Sequence, residues 1–114
     1  MELTVTAIGR FSSSHEVPGH ARCGRLHGHR WPVSVTIRAG MDPAIGFAPG
    51  GDLLMDAVRD LCRELDYDDL ATMLPGSPAT PEGVAYAFRE RLAMTFKIVQ
   101  VEVTMDDELT VTLR

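Results

Sequence analysis

A strict alternation of apolar and polar residues over positions 31–38 constrains the fold more than any other feature of this sequence. The apolar positions are Trp31, Val33, Val35 and Ile37, and the positions between them are Pro32, Ser34, Thr36 and Arg38. Because neighbouring side chains of a strand point to opposite faces, this pattern predicts a strand with one buried and one polar face. We expect Pro32 to lie at an edge or a bulge, since it has no backbone N–H to donate.

Three further segments alternate in the same way. Residues 3–11 predict a strand that can continue toward His15, with Leu3, Val5 and Ala7 on one face. The tail, residues 96–114, predicts two strands joined by a tight turn around Asp106 and Asp107. These segments give two strands at each end of the chain.

The middle of the chain has helical periodicity instead. Asp52 is the predicted N-cap of a first helix, and Thr80 is the predicted N-cap of a second, with Pro81 in its first position and Glu82 at its positive end. The predicted buried stripes are Leu54, Val58, Leu61 and Leu65 in the first helix and Val84, Ala85, Phe88 and Leu92 in the second. The order predicts a single α+β domain over residues 1–114, with a four-stranded antiparallel sheet and two helices on one face. The exposed edges of such a sheet favour a homo-oligomer.

Composition narrows the class of partner. A net charge of −5 argues against nucleic acid and anionic membranes, and favours a small-molecule ligand. No apolar run approaches the ~20 residues of a membrane span, and the first residues do not resemble a signal peptide, so we expect a cytoplasmic protein. The two cysteines, Cys23 and Cys62, are predicted to be free thiols, with Cys62 packed in the core.

All four histidines lie within residues 15–29, and His15, His27 and His29 are the three candidate metal ligands. His27 and His29 are separated by one glycine, so on a strand both imidazoles lie on one face, and His15 at the end of the neighbouring strand can supply a third ligand. Three ligands with one open position are typical of catalytic zinc. The alternative is that these histidines are ordinary surface or core residues. His20 is predicted to be solvent-exposed or an accessory group.

Cys23 and Asp66 are the other candidates for chemistry. Cys23 is flanked by Arg22 and Arg25, whose charges favour a thiolate, so it is a candidate reactive cysteine. A fourth zinc ligand and a small loop residue are the alternatives. The acidic run ELDYDDL ends the first helix, where negative charge is unfavourable, and Asp66 is the member we expect to be functional.

These motifs resemble those of the 6-pyruvoyl- and 6-carboxy-tetrahydropterin synthases. The stretch FSSSHEVPGHARCGRLHGH is similar to the family's F-x-x-x-H followed by C-x-x-x-H-G-H, and ELDYDDL and TPEGVA follow in the family's order. The resemblance implies the T-fold and a trimer or hexamer with its sites between subunits. It implies Zn²⁺ at His15, His27 and His29, with Cys23 as the proton-transferring cysteine. The implied substrate is 7,8-dihydroneopterin triphosphate, which loses triphosphate and, in the carboxy branch tied to queuosine biosynthesis, acetaldehyde as well.

The remaining implied site residues include two departures from the family. The Asp-His pair of the family is Asp66-Tyr67 here, so Tyr67 stands in the place of a proton-transferring histidine. Thr80 and Glu82 are retained as substrate-binding residues, whereas the late pterin-anchoring glutamate falls at Met105. We expect Asp106, or Asp107, to replace that glutamate.

Three functions remain open at this point. The first is a zinc-dependent lyase of the pterin-synthase type that acts on dihydroneopterin triphosphate or a relative. The second is a repurposed zinc-dependent lyase or cyclase with another small-molecule substrate. The third is a zinc-stabilised binding oligomer without catalysis.

Overall fold

The computed structural model describes residues 2–114, which form one mixed sheet with helices packed on its apolar face. In chain order the elements are β1 (Glu2–His15), β2 (His27–Gly40), α1 (Pro49–Leu65), β3 (Asp68–Asp69), α2 (Leu70–Met73), α3 (Pro81–Ala93), β4 (Ile98–Met105) and β5 (Leu109–Leu113). The strand order across the sheet is β3-β1-β2-β4-β5. None of the helices in this described part of the chain is long and apolar enough to cross a membrane.

The α+β architecture and the four antiparallel strands are confirmed, but the count of strands and helices was wrong. A fifth strand, β3, pairs in parallel with Ser13 and Ser14 of β1, and a short helix, α2, follows it directly. With only two residues, β3 is too short to leave an alternating pattern in the sequence. It is held through side chains as well, because the Ser14 hydroxyl donates to Asp69 Oδ1 at 3.0 Å.

The alternating segment at 31–38 forms the centre of the core as predicted. Its four apolar side chains are almost completely buried, and Phe11 stacks between Trp31 and Phe88, with ring centroids 6.0 and 6.5 Å apart. Pairing of β2 with β4 begins at Val33, so Pro32 lies where β2 has a neighbour on one side only. Cys62 is buried beneath Gly9 as a free thiol, as expected.

The two long helices begin differently. The predicted N-cap at Asp52 was wrong, because α1 begins at Pro49 and Asp52 lies in its first turn. Proline suits the first helical position, where its missing N–H costs nothing, and this preference determines the start. For α3 the prediction is confirmed, since the Thr80 hydroxyl accepts a hydrogen bond from Gly83 N at 3.0 Å.

Gly83 fixes the approach of the loop before α3. A Cβ atom at this position would lie 1.8 Å from the carbonyl oxygen of Pro78, so only glycine permits the loop to fold this closely onto the helix. The same loop carries Ala79, whose carbonyl contacts His15. Gly83, in the first turn of α3, therefore also determines the position of the carbonyl group that contacts His15.

We expect Gly83→Ala to lower the free energy of unfolding by about 1–3 kcal/mol, because a backbone oxygen must move to admit the methyl group. Gly40→Ala is the matched control, since a Cβ there meets no atom within 4 Å. Urea unfolding of both variants measures the difference. Equal stability of the two variants would contradict the close approach at Gly83.

Candidate metal centre

The three histidines of the predicted triad meet at one end of the sheet, on the same face as the core. His15 is the last residue of β1 and pairs with His27, the first residue of β2, while Ser13 pairs with His29. His15, His27 and His29 therefore continue the inward face that begins with the buried indole of Trp31. Their ring centroids lie 4.4–4.8 Å apart.

The three Nε2 atoms converge on one point. His27 Nε2 lies 3.0 Å from His15 Nε2 and 2.6 Å from His29 Nε2. Cys23 belongs to the same group, because its Sγ and the three imidazole nitrogens all lie within 4.8 Å of one another. The sequence prediction brought together these four residues, and the structure places them together.

The opposite nitrogen of each ring faces an oxygen that can only accept a hydrogen bond. His15 Nδ1 lies 2.7 Å from the carbonyl oxygen of Ala79, His27 Nδ1 lies 2.5 Å from that of Arg25, and His29 Nδ1 contacts Asp106 Oδ2. Each Nδ1 therefore carries a proton and donates it, so Nε2 is the nitrogen through which each ring, when neutral, can bind a cation.

When the three rings are neutral, the lone pairs of their Nε2 atoms are directed at one point, which is unfavourable unless a cation occupies it. Protonation of His15 does not resolve the conflict, because burial lowers its pKa; the Ala79 carbonyl acts against this, but His29, His27 and His20 lower the pKa further. Nitrogens bound at ~2.0–2.1 Å to a tetrahedral zinc ion stand about 3.3–3.4 Å apart. The Nε2 atoms at 3.0 Å, of His15 and His27, would therefore separate by about 0.3–0.4 Å, and those at 2.6 Å, of His27 and His29, by about 0.7–0.8 Å. The donor set fits a divalent metal ion.

Asp106 orients His29 from behind. Its Oδ2 accepts from His29 Nδ1 and its Oδ1 accepts from Arg30 N at 2.8 Å, while its own N–H donates to the Arg30 carbonyl at 2.8 Å. Partial burial raises the pKa of Asp106, but the hydrogen bonds from Arg30 N and His29 outweigh it, so the pKa lies below its usual value. A carboxylate behind a ligand histidine fixes the tautomer and the ring orientation of that ligand. The prediction that Asp106 binds substrate stays a prediction, and this contact was not foreseen.

A cavity of about 910 Å³ opens onto the triad. Thr80 and Glu82, the two predicted substrate residues of α3, lie on its wall, as does Met105. Glu108 lies there too, and sequence reasoning missed it, although it belongs to the acidic turn recognised between β4 and β5.

Asp66 and Tyr67 lie away from this cavity. Asp66 is the C-cap residue that follows α1, and its Oδ1 accepts from Ser12 N at 2.8 Å. Tyr67 is 88% exposed and lines a second cavity of about 610 Å³, which shares His29 and Asp106 with the first. Within one chain the structure therefore does not bring the Asp66-Tyr67 pair to Cys23.

The chain matches proteins of known description along almost its whole length. A family model described as 6-pyruvoyl tetrahydropterin synthase matches residues 4–114. The chain belongs to this family. The candidate metal centre thus lies in a member of the family whose motifs this sequence resembles.

Two curated archaeal relatives share part of the sequence. A protein of Methanocaldococcus jannaschii described as "Putative 6-carboxy-5,6,7,8-tetrahydropterin synthase" is 32% identical over 82 residues, which cover 72% of this chain and 47% of that protein. A protein of Archaeoglobus fulgidus with the same description is 42% identical over 36 residues, which cover 32% of this chain and 31% of that protein. The matched part spans less than half the length of either relative.

The fold itself is that of a solved tetrahydropterin synthase. The structure of Caenorhabditis elegans 6-pyruvoyl tetrahydropterin synthase superposes with a TM-score of 0.85 at 18% identity, covering 100% of this chain and 96% of the other. The T-fold prediction is confirmed.

We expect Asp106→Asn to weaken Zn²⁺ binding about ten- to a hundredfold, the usual effect of losing the group behind a ligand histidine. An amide nitrogen facing His29 Nδ1 favours the tautomer with its proton on Nε2, which blocks that ligand, while asparagine tolerates the positive φ of 52°. Competition with a chromophoric chelator measures the affinity.

Asp107→Asn is the matched control for this experiment. Asp107 also has a positive φ, of 61°, but its carboxylate pairs with the Arg30 guanidinium at 2.5 Å instead of a histidine. Equal loss of affinity in both variants would show that charge in the turn, and not the contact with His29, matters for the metal.

Proposed function

We propose that this chain is a zinc-dependent lyase of the tetrahydropterin synthase type that acts on 7,8-dihydroneopterin triphosphate or a related reduced pterin. The observation that carries the proposal is the convergence of three Nε2 atoms beside the Cys23 thiol on the wall of one cavity. Three histidine ligands leave a position open for substrate, as catalytic zinc sites require. A purely structural zinc site would be closed by a fourth protein ligand, which here would be Cys23.

In this proposal His15, His27 and His29 hold the metal. When bound, Zn²⁺ supplies Lewis acidity toward the hydroxyl groups of the pterin side chain. The imidazoles are kept in the ligating tautomer by two backbone carbonyls and one carboxylate, none of which depends on the metal being present.

Cys23 is the proposed proton carrier at the reacting carbon atoms. Its side chain is 8% exposed and lies on the wall of the cavity that contains the triad. A thiolate there can take a proton from the substrate side chain and return it at a neighbouring position. Its closeness to the metal ligands places the base beside the group that is activated.

Recognition of the pterin ring needs a carboxylate that is not already engaged. Both oxygens of Asp106 accept hydrogen bonds from this chain, whereas the side chains of Glu82 and Glu108 have no hydrogen-bond partner within residues 2–114. We therefore propose that Glu82 and Glu108, with the Thr80 hydroxyl, are further candidates, in addition to Asp106, to bind the N–H donors of the amino-pyrimidine edge.

Tyr67 enters the proposed reaction from a second copy of the chain. In one protomer it is exposed and lines a different cavity from Cys23, so the two residues can meet only across a subunit interface. Members of this family are oligomeric. A homo-oligomer in which one protomer supplies Cys23 and its partner supplies the Asp66-Tyr67 pair would complete the site.

The first experiment incubates zinc-loaded protein with 7,8-dihydroneopterin triphosphate and identifies the products by mass spectrometry, beside a Tyr67→His variant. We expect release of triphosphate by the native chain and faster release by the variant, because an imidazole titrates near neutral pH and a phenol does not. Absence of product from both proteins, with zinc bound, would refute the proposed substrate.

A mixing experiment tests the division of the site between protomers. Cys23→Ser and Tyr67→Phe should each lose about 10²–10⁴-fold in turnover as separate proteins, because each removes a proton-transferring group. Co-expressed, they should regain about a quarter of native activity, since random pairing at a cyclic interface gives one intact combination in four.

Tyr86→Phe is the matched control for this experiment, since Tyr86 is also an exposed tyrosine, 55% accessible, but lies on α3 outside both cavities. It should keep native activity. A mixture no more active than its two components would refute the shared site, and full activity of Tyr67→Phe alone would remove Tyr67 from the reaction.

One observation favours a second candidate, a repurposed lyase or cyclase with another small-molecule substrate. Met105, at the position of the family's pterin-anchoring glutamate, lies on the cavity wall and offers no strong hydrogen-bond acceptor. If dihydroneopterin triphosphate is not converted, Met105→Glu provides the test between the two functions. Gain of pterin turnover in that variant would show that the cavity has changed specificity at this residue.

A further inference from the structure

The loop at residues 16–26 carries Cys23 between β1 and β2, and it contains neither helix nor strand. Loop residues without such support sample many conformations, and ordering each of them costs backbone entropy. Cys23 is nevertheless buried beside the three imidazoles. Something in the loop itself must hold it there.

The imidazole of His20 makes two hydrogen bonds inside this loop. Its Nδ1 accepts from the backbone N–H of Cys23 at 3.0 Å and from that of Arg22 at 3.2 Å. Since Nδ1 accepts from both groups, it carries no proton in this arrangement. The side chain thus replaces the carbonyl acceptors that a helix or strand would have provided for these two N–H groups.

The carbonyl side of Cys23 is held as well. Its oxygen accepts from Val17 N at 2.6 Å, and His20 N donates to the Val17 carbonyl at 3.0 Å. Gly24 packs so closely that a Cβ atom there would lie 2.6 Å from the His20 carbonyl oxygen. His20 therefore makes two contacts in this loop: its side chain accepts from Cys23 N, and its backbone N–H donates to Val17. Val17 N in turn donates to the Cys23 carbonyl oxygen, so the three residues form a closed ring of hydrogen bonds.

We infer that His20 is a positioning residue that holds the backbone of Cys23 so that its thiol faces the three converging imidazoles. The relevance of this role to catalysis rests on the proposed function, in which Cys23 transfers protons, but the contact itself does not. His20 is exposed and uses its Nδ1 within the loop, outside the group of four residues whose ligand atoms converge.

The geometry indicates which substitution should preserve this role. Asparagine carries Oδ1 on the same Cγ position as Nδ1 of histidine, and its side chain commonly accepts from backbone N–H groups a few residues further on. His20→Asn should keep the two hydrogen bonds, whereas His20→Ala removes the acceptor and leaves both N–H groups unpaired.

The test is the rate at which iodoacetamide alkylates Cys23 in zinc-loaded protein, followed by peptide mass spectrometry. We expect His20→Ala to raise this rate about tenfold, because two hydrogen bonds that limit local opening are lost. His20→Asn should stay within about twofold of the parent protein. All proteins are compared at equal zinc content.

Cys62 serves as the control within each sample. It is 4% exposed, and burial together with the nearby carboxylate of Asp66 raises its pKa to about 11, so its alkylation reports opening of the core. An equal rise at both cysteines in His20→Ala would overturn the inference, since His20 would then stabilise the whole fold. Unchanged alkylation of Cys23, or equal behaviour of the Ala and Asn variants, would also overturn it.

Failure of the proposed function is distinguishable from failure of this inference. Alkylation needs no pterin, so a native chain that converts no pterin leaves the alkylation result intact. With an active native chain, His20→Ala should lower kcat about tenfold, because a displaced base slows proton transfer. Faster alkylation with native kcat would show that the position of Cys23 held by His20 does not matter for the reaction.

Discussion

The antiparallel register of β1 against β2 is the constraint on which the rest of this structure depends. It sets Phe11 opposite Trp31 in the core and, four residues further along β1, His15 opposite His27 at the end of the sheet. Because side chains alternate between faces, the core and the imidazole triad are consecutive parts of one inward face. A slip by one residue would expose Trp31 and the triad together. The same strand pairing therefore buries the core side chains and brings the three histidines together.

Residues with positive φ connect the triad to distant parts of the chain. Tyr67, Asp106 and Asp107 are the non-glycine residues in this conformation within the described part of the chain. The N–H of Tyr67 donates to Ser12 O at 2.6 Å, and the N–H of Asp106 donates to Arg30 O at 2.8 Å. Two of these three residues therefore bind a turn to a strand that carries a histidine, which is consistent with strain being retained at functional sites.

The sequence predicted the elements whose residues repeat at a regular spacing, and it did not predict the elements and contacts that depend on one or two residues. Alternation at 31–38 and the apolar stripes of α1 and α3 predicted the sheet, the helices and their buried faces, because many residues contribute to each pattern. The spacing of His27 and His29 predicted two ligands on one strand face. The two-residue β3 has no period. The Ala79 carbonyl, 64 positions from His15, leaves no mark in the sequence at all, because every residue type carries a carbonyl.

The charge of the site links the geometry to the class of ligand proposed. Three neutral imidazoles leave the full charge of a divalent metal ion uncompensated, unlike sites built from thiolates or carboxylates. Asp106 would supply one negative charge, but its carboxylate contacts His29 and not the metal ion itself. A divalent ion held by the triad would place positive charge beside Cys23, whereas the carboxylates of Glu82 and Glu108 lie on the wall of the same cavity. The end of the cavity at the ion would then favour ligand oxygens and negative charge, and the two carboxylates would favour a part of the ligand that carries N–H donors.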